Sequence, residues 1–251
     1  MTINSIQIDA NKCQRDAICV SVCPVGIFRG NVGELPQIDE NLAAACIRCG
    51  HCSAACPTAA ITIDGLAEQE YRSFPTKLAE LEMLSALITS RRSIREFRDE
   101  QVPLGQIEKL LDITRFCPTA KNTQLMHWTL INGKEKVREV SAAVIDTFRS
   151  NEKMAAMVAA FDNGLDPVNR KAPQLLLVSA PAKYVWGPLD AAIYIANFEL
   201  LAHAAGYGTC WAGFTTTAAQ QGTLVNAKIG LPEGEKVYGA VMLGLPKYKY
   251  Q

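Results

Sequence analysis

The residues with the most recognisable chemistry are cysteines. The 251-residue chain holds nine of them, and seven fall between Cys13 and Cys56. Cys46, Cys49, Cys52 and Cys56 follow the spacing C-x₂-C-x₂-C-x₃-C, and Pro57 comes next. Four thiols this dense favour a polynuclear metal centre. A zinc site would use two separated C-x₂-C knuckles, and a disulfide scaffold belongs to short secreted chains. The pattern also repeats. Cys13, Cys19, Cys23 and Pro24 recur 33 positions later as Cys46, Cys52, Cys56 and Pro57, with Asp16 where a second cysteine would stand. His51, inside the second loop, reads as a surface residue whose charge would tune a neighbouring metal centre.

A second set of residues lies beyond the cysteines. Arg91, Arg92, Ser93 and Arg95 put three guanidiniums and a hydroxyl within five positions. Such a group can clamp a phosphate dianion; alone, it would read better as an ordinary basic helix end. Cys117-Pro118-Thr119-Ala120-Lys121-Asn122-Thr123-Gln124 offers a proline turn and small polar groups suited to a flat polar ring. Gly206-Tyr207-Gly208-Thr209-Cys210-Trp211 looks like a dinucleotide fingerprint, but Trp211 replaces the third glycine and a helix precedes it. Its glycines would instead let backbone approach a ring closely. Pro246-Lys247-Tyr248-Lys249 follows the last apolar run with two lysines. Cys117 and Cys210 read as small apolar residues.

The elements that must position these groups suggest two domains with a linker, at 1–65, 66–76 and 77–251. Short strands are expected at Ile3–Asp9, Pro36–Asp39 and Ile61–Asp64, around a core too small to hold without a metal cluster. Helical spacing predicts helices over Lys77–Thr89, Pro103–Phe116, Lys134–Ser150, Asp190–Ala205 (closed by Gly206) and Thr217–Ile229. Buried strands are expected at His127–Ile131, Gln174–Ser179 and Val237–Leu243, with another around Thr209–Phe214. Because helices and strands do not alternate strictly, the larger domain reads as α+β. Net charge is zero, which gives no pointer to nucleic acid or an anionic membrane surface. No apolar run reaches the roughly 20 residues of a membrane span, and the N-terminus has no signal-peptide pattern. The default location is cytoplasmic.

Two resemblances then add to this reading. Asp9–Asp64 resembles the bacterial two-cluster ferredoxins. That resemblance implies two iron–sulfur clusters with crossed ligands. Cluster one would take Cys13, Cys19 and Cys56, with Asp16 as a fourth ligand; otherwise Asp16 is a solvated loop residue and this cluster is [3Fe-4S]. Cluster two would take Cys46, Cys49, Cys52 and Cys23 as a [4Fe-4S] cluster. Leu84–Lys249 resembles the FMN-dependent nitroreductase family in its motif order, R-R-S-x-R-x-F, a P-x-x-x-N-x-Q loop, G-x-G-T-x-W and a P-K end. The resemblance implies that Arg91, Arg92, Ser93, Arg95 and Lys247 or Lys249 hold the FMN phosphate. Pro118, Thr119, Ala120 and Asn122 would reach the flavin from the partner subunit of a homodimer. Gly208 and Thr209 would lie by the reactive edge of the ring. Leu125-Met126 and Leu245 depart from the family pattern where the substrate cavity is formed. The flavin would carry the chemistry, since no carboxylate or histidine of this region has acid–base spacing.

The expected function is an oxidoreductase that passes electrons between two clusters and FMN to a small acceptor: a nitroaromatic, a quinone or another flavin. The alternatives are a relay serving a ferredoxin or other redox protein, and, more weakly supported, a redox sensor built on a labile cluster near Asp16.

Overall fold

The computed structural model describes residues 6–63 and 75–250. Most of the expected linker, and the outer ends of the strands expected at Ile3–Asp9 and Ile61–Asp64, lie outside the described residues. Two compact units are present: Met1–Leu78 with Lys121–Thr123, and Ala79–Ala120 with Gln124–Gln251.

In the first unit β1 (Ile6–Ile8) pairs antiparallel with β4 (Ile61–Ile63), and β2 (Phe28–Arg29) with β3 (Gln37–Ile38). Helices α1 (Ile18–Val22), α2 (Glu40–Ala43) and α3 (His51–Ala55) are each about one turn long. The 33-residue repeat is written into the backbone. Left-handed φ angles occur at Arg15 and Arg48, at Ala17 and Gly50, and at Gly26 and Ala59. Each pair holds equivalent places in the two halves. Left-handed backbone costs a non-glycine residue roughly 1–2 kcal/mol, and neither half has glycine at all three places. The buried set is small: Ile6, Ile27, Phe28, Ile61 and Ile63 close round the thiols of Cys19 and Cys52.

The second unit is built on a four-stranded antiparallel sheet in the order β5-β6-β8-β7. Its strands are β5 (His127–Asn132), β6 (Gln174–Pro181), β7 (Gly208–Trp211) and β8 (Glu235–Gly244). Residues of β6 alternate between two helical layers. Leu175 and Leu177 join the cluster formed with α6 (Lys134–Phe148), α9 (Gly213–Gln221) and α10 (Thr223–Ile229). Leu176 and Val178 join the one formed with α5 (Leu104–Thr114) and α8 (Gly187–Ala204). This is the expected α+β architecture, with the sheet buried on both faces.

Three element expectations are corrected. The helix expected over Lys77–Thr89 begins only at α4 (Leu81–Ser90), and Leu78 is 64% exposed. Without packing, an extra turn has little to hold it. Thr217–Ile229 is not one helix, because Gly222 is extended (φ −147°, ψ 164°) and separates α9 from α10. The strand expected to Phe214 stops at Trp211, where the chain turns into α9. Helix α7 (Ala155–Asp162) was not anticipated, since its alanine-rich run has little apolar periodicity. Gly206 does close α8: its φ is +83°, and the N–H groups of Gly206 and Tyr207 donate to the carbonyls of His203 and Ala202. That is a Schellman cap. Among the described residues no helix is long and apolar enough to cross a membrane.

Candidate functional site

In the first unit the thiols of Cys23, Cys46, Cys49 and Cys52 border one cavity, whose other walls include Ile6, Ile27, Phe28 and Ile63. Among the described residues no three His, Cys, Asp or Glu side chains converge as they would on a single ion. The thiols ring a space instead, which suits a polynuclear cluster. Burial pushes the Cys52 thiol up to about 11, and the neighbouring Cys23 and Cys49 push the same way. Four such sulfurs become thiolates together only when a cationic centre compensates them.

The other four ligand candidates also lie together. Cys19 is raised chiefly by burial, and the charges of Cys13 and Asp16 act on it too. Cys56 feels burial most, but the N–H of Ala60 and the hydroxyl of Thr58 outweigh it and hold the thiol below its ordinary value. Asp16 acts on Cys56 as well. Its Oδ1 accepts from the N–H of Ile18 (3.0 Å), which fixes the carboxylate at the start of α1.

The repeat extends to sulfur hydrogen bonds. The Ile27 N–H donates to Cys23 Sγ (3.4 Å), and the Ala60 N–H, 33 residues on, donates to Cys56 Sγ (3.3 Å). N–H donors turned toward sulfur stabilise a thiolate and tune a cluster's potential. Lys121–Thr123 group with this unit, where Asn122 Nδ2 donates to the carbonyls of Ile47 (3.1 Å) and Arg48 (3.0 Å).

In the second unit the strip after α4 brings three sequence motifs together. Ser93 forms a parallel bridge with Thr209, and Phe97 an antiparallel one with Pro246. The N–H of Ile94 donates to Thr209 O (2.8 Å) and that of Lys247 to Glu96 O (3.0 Å). Ile94 and Phe97 are buried while Arg92 and Arg95 are exposed, so the strip turns its apolar side chains inward and these two guanidiniums toward solvent. Gly208 is needed because a Cβ there would lie within 3 Å of Ile94. Its absent side chain therefore admits Ile94 against the backbone.

The cations of the strip are unequally engaged. Arg92 Nη1 donates to the carbonyls of Thr89 (2.7 Å) and Arg91 (3.0 Å), and Arg95 Nη1 to that of Ser93 (3.4 Å). Arg91 Nη1 is buried with no hydrogen-bond partner. A buried cationic N–H left in this state is costly, and a bound anion would satisfy it. The residues present therefore fit a phosphate group. Lys247 Nζ lies over the Tyr248 ring at 5.5 Å, and Lys249 is exposed.

Two buried carboxylates of α8, missed at the sequence level, frame this region. Asp190 accepts from the N–H of Ala120 (3.2 Å to each oxygen) and from the Tyr184 hydroxyl, and so anchors the Pro118–Ala120 loop. The Thr119 hydroxyl accepts from the Gln124 N–H (3.0 Å). Glu199 accepts from Thr209 Oγ1 (3.0 Å) and Trp211 Nε1 (3.1 Å), and lies 3.7 Å from Arg91 Nη1. Nine residues separate the two acids, about 14 Å along a helix axis. Within one chain, then, the loop and the Arg91 strip are held at different levels of α8. Burial raises the Cys210 thiol, while the charge of Arg95, the Ser93 hydroxyl and the charge of Arg170 act the other way.

A small cysteine-ringed unit and an α+β unit carrying a basic strip define a redox protein of composite type. The sequence profile of the nitroreductase family matches residues 88–245, and that of the 4Fe-4S dicluster domain matches residues 11–61. The chain belongs to the nitroreductase family and carries an N-terminal dicluster ferredoxin domain. An Archaeoglobus fulgidus protein provisionally named NADH dehydrogenase/NAD(P)H nitroreductase is 29% identical over 162 residues, covering 64% of this chain and 84% of that one. A Hydrogenibacillus schlegelii protein named Ferredoxin 7Fe is 36% identical over 63 residues, 25% of this chain and 76% of its own. The crystal structure of a Bacteroides fragilis nitroreductase with bound FMN matches with a TM-score of 0.61 at 24% identity, covering 68% of this chain and 93% of that one. That likeness establishes the fold.

Proposed function

We propose that this chain is a cytoplasmic, FMN-dependent oxidoreductase that passes electrons between two iron–sulfur clusters and FMN to reduce a small acceptor such as a nitroaromatic, a quinone or a flavin. The observation that carries the reading is Arg91: a guanidinium nitrogen buried without a hydrogen-bond partner, on a strip paired with Thr209 and Pro246. FMN, when bound, supplies hydride and one-electron chemistry. Arg91, Arg92, Ser93, Arg95 and Lys247 or Lys249 hold its phosphate, and Gly208 and Thr209 lie beside its ring. Bound FMN in the Bacteroides fragilis protein supports this assignment.

Pro118, Thr119, Ala120 and Asn122 act across a homodimer. The separation of the Asp190 and Glu199 levels along α8 supports a loop that serves the partner's site. So does the outer surface of α4, where Leu81, Met83, Leu84 and Ile88 are exposed. Both amide hydrogens of Asn122 are engaged by Ile47 and Arg48, so Oδ1 is the atom left to meet a flavin N–H.

Cluster two takes Cys23, Cys46, Cys49 and Cys52, and cluster one takes Cys13, Cys19 and Cys56. Asp16 is its fourth ligand, or cluster one holds three irons. The relative named Ferredoxin 7Fe supports the three-iron form. The donor is a reduced nicotinamide, as the names of relatives suggest, or a low-potential electron-transfer protein.

Anaerobically purified full-length protein tests the whole reading. It should contain one FMN per chain and about seven or eight irons, with electron paramagnetic resonance separating the cluster types. Turnover of a nitroaromatic or quinone should be compared with NADH, NADPH and reduced ferredoxin as donors. Zinc in place of iron, or a chain that retains no FMN, would overturn it.

A further inference from the structure

Glu199 stands out among the buried charges. It is 5% exposed, lies in the middle of α8, and belongs to no recognised motif. Both carboxylate oxygens are in use. Oε1 accepts from the hydroxyl of Thr209 at 3.0 Å, and Oε2 accepts from the indole N–H of Trp211 at 3.1 Å. The same Oε1 lies 3.7 Å from the Nη1 of Arg91. This distance is an ion pair without a hydrogen bond, so the guanidinium is held by charge while its N–H remains unsatisfied. The Trp211 ring itself is 41% exposed, so its indole N–H is the part tied to the interior. The carboxylate is therefore held by two neutral donors and lies beside Arg91, whose side chain is 31% exposed but whose Nη1 is buried.

We propose that Glu199 is a positioning residue of the phosphate site: tethered by Thr209 and Trp211, its carboxylate keeps the Arg91 guanidinium aimed at an incoming phosphate. This rests on the FMN reading above and assigns a role within it. Two opposite effects of the charge make the proposal decidable. A carboxylate beside a phosphate dianion repels it, so if Glu199 acted only through its field, removing the charge would tighten binding. If it acts by orienting Arg91, removing the charge weakens binding, and the weakening depends on Arg91.

The test is a double-mutant cycle on the full-length protein, read as the dissociation constant of FMN from quenching of free flavin fluorescence. Glu199→Gln preserves shape and removes charge. It should weaken FMN binding about tenfold, and that factor should disappear when Arg91→Ala is already present, because contacting residues couple through the interaction they share. Trp211→Phe keeps the ring but removes one tether; it should give a smaller loss that also vanishes in the Arg91→Ala background. If Glu199→Gln does not fold, the Trp211→Phe cycle decides alone. FMN binding by Glu199→Gln as tight as wild type or tighter would overturn the proposal, as would equal losses with and without Arg91. A wild-type chain that binds no FMN would remove the flavin reading and this inference together, whereas wild-type binding with an uncoupled cycle removes only the inference.

Discussion

In the second unit Leu175, Leu176, Leu177 and Val178 are each at most 1% exposed and alternate between two helical layers. In the first, the buried cluster is five apolar side chains, four of them on two- or three-residue strands, and two thiols on helices of one turn. The larger unit can draw its stability from apolar area. The smaller one cannot, and its backbone also carries left-handed residues at Arg15, Ala17, Arg48 and Ala59 that resist folding alone. A cluster bound to its thiols must supply the difference, so for the first unit cofactor and core are one thing. In the second unit the cofactor site is an addition to a core that already exists.

The largest effect should come from taking the metal away. Iron removal with a chelator under anaerobic conditions should abolish amide-exchange protection over residues 6–63 and leave β6 and β8 protected. Persistent protection of α1 and α3 without iron would break the comparison. The converse substitution, Leu177→Ala, should destabilise the second unit by about 2–5 kcal/mol in denaturant unfolding, with iron content unchanged. Arg91→Ala should cost about 1.5–3 kcal/mol of FMN affinity while leaving both the unfolding midpoint and the iron content close to wild type. A large fall in stability would mean that the strip belongs to the core after all.

The smallest effect concerns surface charge. Arg149 hydrogen-bonds Asp162 and holds its carboxyl below the usual value of 3.8. The carboxyl is depressed in the folded state, so its contribution is present above the unfolded pKa and fades as pH falls through the folded one. Wild type and Asp162→Asn should differ slightly near neutrality and converge below pH 3.8. The pair is fully exposed, so salt should also shrink the difference.

The cysteine repeat was readable in the sequence because its members are local and their spacing is itself the geometry. The repeated left-handed residues were not, since Arg15, Ala17 and Arg48 are not types that announce such backbone. The long apolar strands and the capped α8 were readable from periodicity and from Gly206. The split at Gly222 has a signal in the glycine itself, but helical spacing continues on both sides and reads as one helix over Thr217–Ile229. Asp190 and Glu199 could not be read at all. Ala120 lies 70 residues from Asp190 and Arg91 lies far ahead of Glu199, and only the fold brings them together. An acid inside an otherwise apolar helical run, as Glu199 is between Phe198 and Leu200, is the one hint available.

The strip also meets β7, the edge strand of the sheet, where Ser93 bridges Thr209 and the Ile94 N–H donates to Thr209 O. A strand with one uncovered side offers its N–H and C=O groups to any extended segment of another molecule. By pairing with Thr209, the strip occupies part of that open side with the chain's own residues. Substitutions that pry it loose, such as Gly208→Ala with its clash against Ile94, would thus put more than ligand affinity at risk. They would leave a template for strand addition, and the first visible symptom would be aggregation during expression.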